Sequence, residues 1–243
     1  MKSHLGVGFI ALSTAFFATA LYSVAESASS DQAFVVAMTM ALAWALGAVL
    51  ASVVGKDRRH SGRMQIGGVF ALALSQMGLS FISPVSFGAI GITAIVGIGA
   101  GFLLVTMVCS HLELHRQAEP MREAFVAFLA GKGAGFLIGA IMVAIVDAAH
   151  RTSLFSMSAV LVLVPLVAGK FSEAVEARSR LVRGIAGGLV IVALLLLVSP
   201  ATTEHSVVAV SPEPSSTIDL VRAPYVVRPG RGLHVFLAGM VSA

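Results

Sequence analysis

Apolar runs of roughly 18 residues or more follow one another along most of this chain, and nothing else in it constrains the fold as strongly. In hydrocarbon every backbone amide must be satisfied within the segment or by a closed barrel. A barrel would show alternating segments of about ten residues, which these are not. The expected fold class is therefore all-α: a polytopic membrane protein with about seven transmembrane helices. The expected spans are 5–25, 33–54, 65–82, 87–110, 123–148, 153–169 and 183–199. Composition agrees, with 57% hydrophobic and 12% charged residues. A soluble domain carries about twice that charge.

The net charge of +4 does not point to nucleic acid. The basic residues stand in short connections between apolar spans, where they orient a membrane protein. With the N-terminus cytoplasmic, the inner segments hold Lys2, Lys56, Arg58, Arg59, Arg63, Arg116, Arg122, Lys170, Arg178, Arg180 and Arg183. The outer loops before residue 200 hold only Arg151. This asymmetry predicts a multi-pass protein of the inner or plasma membrane with its N-terminus inside. Lys2 before an apolar run, with Ser23-Val24-Ala25 after it, resembles a signal peptide. The run is longer than a signal core and further spans follow, so an uncleaved first helix is expected.

Three regions are expected. Residues 1–182 form a six-helix bundle with its cytoplasmic linker, 183–199 a seventh span, and 200–243 an exposed tail with a short apolar end. The tail is polar and proline-containing as far as about residue 232 and lacks a helical apolar face.

Few motifs carry chemistry. The single Cys109 excludes an internal disulfide and a cysteine metal cluster. His111 and His115 share a helix face, but Glu113 projects opposite and the spacing is not that of a metalloprotease helix. An interfacial or loop role is expected for the pair, and no metal. Glu119-Pro120 is expected to break the chain before Arg122 opens the fifth helix. No phosphate loop, nucleophile triad or nucleotide fingerprint is present, so neither a cofactor nor an enzyme is expected.

The fifth span holds the residue hardest to explain as packing. Lys132 stands between Gly131 and Gly133 in an apolar run. It lies about 14 Å along the helix from Glu123, close to the bilayer midplane. Gly131, Gly135 and Gly139 recur every four residues and let another helix approach closely. At about 100° per residue, Gly135 and Gly139 fall within about 60° of Lys132, so the lysine is expected to face the bundle interior. An ionisable residue at this depth is a functional candidate by default. Three roles remain open: attracting an anionic or zwitterionic substrate, donating to carbonyls of a neighbouring helix, or exchanging a proton.

Two motifs carry a family resemblance. The segment Gly55-Lys-Asp-Arg-Arg-His-Ser-Gly-Arg63 resembles the signature cytoplasmic loop of the major facilitator superfamily, with Asp57, Arg58, Gly62 and Arg63 recognisable at a longer spacing. The Gly131, Gly135 and Gly139 stripe resembles the glycine-rich fifth helix of facilitator antiporters, with Phe136 in place of the proline and Ala140 in place of the last glycine. The resemblance covers about residues 1–182, one six-helix half built of two inverted three-helix repeats. It implies alternating-access transport of a small solute and no enzymatic activity. It further implies Lys132 as substrate or coupling residue, and Asp57, Arg58, Gly62 and Arg63 as a cytoplasmic gate loop. A facilitator encloses its pathway between two halves, so the expected partners are membrane lipid, a small-molecule solute, and a second half or homodimer partner. A non-transporting scaffold or accessory subunit of a larger complex is the alternative.

Overall fold

The computed structural model describes residues 3–54, 58–82, 86–115, 118–147, 150–169 and 179–198. The tail expected at 200–243 lies outside them. The described residues form seven α-helices and no strands. They are α1 (Ser3–Ala28), α2 (Ser30–Val54), α3 (Arg58–Gly78), α4 (Phe87–His115), α5 (Ala118–Ile145), α6 (Ser153–Val167) and α7 (Ser179–Val198). A 3₁₀ turn, Leu79–Phe81, extends α3. All except α6 are long and apolar enough to cross a membrane. The polytopic helical reading is thus compatible with the fold, while α6 is shorter than a full span at 15 residues.

Local chemistry sets several boundaries. Ser29 alone separates α1 from α2, and its hydroxyl accepts the Gln32 amide at 3.1 Å, an N-cap that restarts the helix. Ser86 caps α4 in the same way through Ala89 N at 3.2 Å. Gly169 ends α6 in the left-handed conformation, φ 66°, which glycine adopts without strain.

Two stretches read as connections are helical instead. Arg58–Arg63 forms the start of α3, not a loop, leaving only residues 55–57 between α2 and α3. Glu119 and Pro120 lie in the first turn of α5 rather than ahead of it. Proline fits there because the first amides of a helix have no intrahelical acceptor.

Helix α1 is the hub, packing against α5, α6, α2 and α4. Its fully buried Ile10, Phe16, Phe17 and Leu21 anchor the core with Leu72, Leu103 and Phe155. Phe17 and Phe155 meet with ring centroids 5.4 Å apart. By contrast α7 rests on α6 and barely touches α3.

The two tightest pairs are α1/α5 and α2/α4, followed by α6/α7, α3/α4 and α1/α6. Exchanging α1 with α4, α2 with α5 and α3 with α6 turns each pairing among the first six helices into another observed one. Thus α1/α5 becomes α2/α4, α1/α6 becomes α3/α4, and α3/α6 maps onto itself. Contacts advance in step along both tight pairs: Gly131 on Gly8 and Gly135 on Leu12, Gly97 on Met40 and Gly101 on Trp44. Each pair is therefore parallel. Because α1 and α2 fold back on each other across Ser29, the two pairs run in opposite directions.

Candidate functional site

The site is built on the α1/α5 contact. A Cβ placed on Gly131 would land on the Gly8 carbonyl oxygen, and one on Gly135 on that of Leu12. At Gly139 it would stand 3.0 Å from Thr19 Cβ. The returning contact is Gly8, where a Cβ would meet the Ala127 carbonyl oxygen at 3.3 Å. Only glycine permits this approach, and the three α5 glycines that share a face meet one neighbour, α1.

Lys132 follows the first of these glycines and lies near the middle of α5. Its side chain is 7% exposed. The ammonium stands 5.7 Å from the centroid of Phe128, one turn back on the same helix, within the reach of a cation–π interaction. On the other side of the lysine a Cβ on Gly133 would meet nothing within 4 Å. Lys132 is thus held against the packed side of α5 while Gly133 beside it is open. A positive charge there can hold an anion or carboxylate, or donate to backbone carbonyls.

Of the gate-loop residues, Asp57 lies outside the described residues. Arg58 opens α3, Gly62 and Arg63 follow in its second turn, and Arg63 is exposed. Arg58, Arg59, Arg63, Arg122, Arg180 and Arg183 all stand at the end of the bundle where α1 begins. A Cβ on Gly169 would stand 2.9 Å from the Arg183 guanidinium, which places that cation at the C-terminus of α6, where the helix dipole favours it. His111 and His115 close α4. Among the described residues no group of three His, Cys, Asp or Glu side chains is placed to hold a metal.

Arg151 is the exception in position, at the opposite end. Its Nη1 donates to Ser23 Oγ at 2.9 Å and Ser27 Oγ at 3.4 Å, and its Nε to the Val146 carbonyl at 3.5 Å. One guanidinium thereby ties the end of α1 to the end of α5.

Sequence reasoning missed a buried polar cluster between α1, α3 and α6. Ser13 Oγ lies 2.7 Å from the Ser158 carbonyl oxygen, and Gln76 Nε2 donates to Ser13 Oγ at 3.2 Å. Ser80 and Ser156 are joined at 2.9 Å. The available signal was Gln76 and Ser80, four residues apart at the end of α3 and in the 3₁₀ turn that extends it. No family model matches this chain, and neither a curated protein nor a solved structure does.

Proposed function

We propose that this protein is a membrane transporter that moves a small solute by alternating access, resembling one half of a major facilitator. The observation that carries the reading is Lys132, a cation 7% exposed at the middle of α5, beside a helix contact that does not itself need a charge. A buried ammonium is costly, and in transporters the substrate and coupling sites lie near the midplane. The exchange of pairings between α1–α3 and α4–α6 supports the reading, because inverted repeats have this relation. In this reading Lys132 engages an anionic or zwitterionic solute or carries the coupling proton. Asp57, Arg58, Gly62 and Arg63 act at the cytoplasmic gate, with the N-terminus on the cytoplasmic side of the cell membrane. A second half, supplied by another copy, completes the pathway.

An accessory or scaffold role is the second reading, favoured by the same low exposure of Lys132. It expects the glycine stripe to face lipid or another protein, whereas α1 covers it. A cysteine at position 132, in protein whose exposed Cys109 has been replaced, separates the two. Labelling by a membrane-impermeant thiol reagent from one side supports a transport cavity. Protection from both sides, together with a monomeric mass in mild detergent, supports the scaffold.

A further inference from the structure

The hydrogens at the α1–α3–α6 junction can be counted. The Ser13 hydroxyl has one hydrogen to give. It lies 2.7 Å from the Ser158 carbonyl oxygen and 3.4 Å from Gln76 Oε1, so the shorter contact takes it. Gln76 Nε2 donates back to Ser13 Oγ at 3.2 Å. Among the described residues, that leaves the amide oxygen of Gln76 with only the long 3.4 Å contact to a hydroxyl whose hydrogen is spent elsewhere, and one of its two N–H groups unspent. Exchanging the amide's oxygen and nitrogen changes nothing, because Ser13 still has no second hydrogen. Gln76 is fully buried, and buried polar side chains nearly always have their partners.

The surrounding hydroxyls cannot supply the missing hydrogen. Ser158 gives its own to the Phe155 carbonyl at 2.6 Å. Ser80 and Ser156 form a chain that ends on the Thr152 carbonyl, 3.3 Å from Ser80 Oγ. These hydroxyls do retain unused lone pairs. A partner for Gln76 must therefore be small and neutral, with hydrogens to give and lone pairs to receive, since none of these five side chains carries a charge to balance an ion.

We propose that a resident water molecule completes this junction, donating to the Gln76 amide oxygen and joining α3 to α1 and α6. Buried waters typically make about three such bonds and belong to the structure as side chains do. The proposal does not depend on the transport reading, because the count concerns only Ser13, Gln76, Ser80, Ser156 and Ser158.

The test has two parts, both on the full chain in detergent or nanodisc. A density map fine enough to resolve ordered water is expected to show a peak within hydrogen-bond reach of Gln76 Oε1. A map of that quality with no such peak overturns the proposal. Gln76→Met keeps the side chain's length and removes its polar groups. If a water is held there, the variant strands it and melts lower than wild type by about 2–4 °C. The variant also gives up the Gln76 Nε2–Ser13 Oγ bond, so a lower melting temperature supports the water only together with the density peak, whereas melting at or above the wild-type temperature refutes it.

Discussion

The α1/α5 and α2/α4 pairs meet the same packing demand with different contents. In both, glycine brings one helix against the backbone of the other: Gly131 and Gly135 against α1, Gly47 against Ile98, and Gly97 and Gly101 against α2. The residue after Gly131 is Lys132, while the residue after Gly47 is Ala48. The α2/α4 pair closes without an ammonium at that position. The lysine is therefore not a requirement of close packing, and its presence in only one of the two tight pairs argues for a role beyond stability. On the α2 side Gln32 Oε1 and the Trp44 indole N–H are buried without a hydrogen-bond partner among the described residues.

Substitutions can break or sharpen this equivalence. The largest effect is expected from Gly131→Val and Gly101→Val, which drive side-chain carbon into a facing carbonyl. Each should cost about 3 kcal/mol or more, read as loss of a monodisperse peak and a lowered melting temperature. If only one variant suffers, the two contacts are not equivalent. Next comes Ala48→Lys, which installs the charge on the other pair. It should cost up to about 2.5–3.5 kcal/mol in membrane stability, the value for a charge at the centre of a span.

Lys132→Met should have the opposite sign, stabilising the fold by about 1–2 kcal/mol in thermal or denaturant unfolding. The transport reading adds that Lys132→Ala abolishes solute movement in vesicles while the protein still folds. A Lys132→Met protein less stable than wild type would mean that the ammonium holds the bundle together. At Gly139 the obstacle is a side chain, Thr19, whose Oγ1 is bound to the Ala15 carbonyl at 2.9 Å and so resists turning. Gly139→Ala should cost about 0.5–1 kcal/mol, seen as a small drop in melting temperature. Gly133→Ala, pointing into open space, should gain up to about 1 kcal/mol by helix propensity in the same assay.

Much of the fold was legible because hydropathy reports directly on the length of apolar runs. The expected spans differ from the helix cores by a few residues, mostly where polar turns extend a helix, as Arg58–Arg63 does at the start of α3. The Gly131, Gly135 and Gly139 face and the buried position of Lys132 follow from helical period alone. What the helices face could not be read. Gly97 and Gly101 were visible as a glycine-rich stretch, but nothing local says that α2 receives them. The same holds for Ser13, Gln76 and Ser158, which lie on three helices and are unremarkable one at a time. Partner choice in hydrocarbon depends on shape and hydrogen bonding between distant segments, and the hydrophobic pattern is blind to both.

The nesting of the two tight pairs bears on how the protein is made. The α2/α4 contact encloses α3 in the sequence, and the α1/α5 contact encloses all three. As the chain emerges from the ribosome at roughly 5–20 residues per second, α2 and α4 can dock before α5 has been synthesised. The first helix made must wait for the fifth, with its small-residue face turned to lipid or to the insertion machinery. A nascent chain halted after α4 should therefore hold α2 and α4 together and leave α1 with only its lesser contacts to α2 and α4, so the hub of the finished bundle gains its tightest partner last among the early helices.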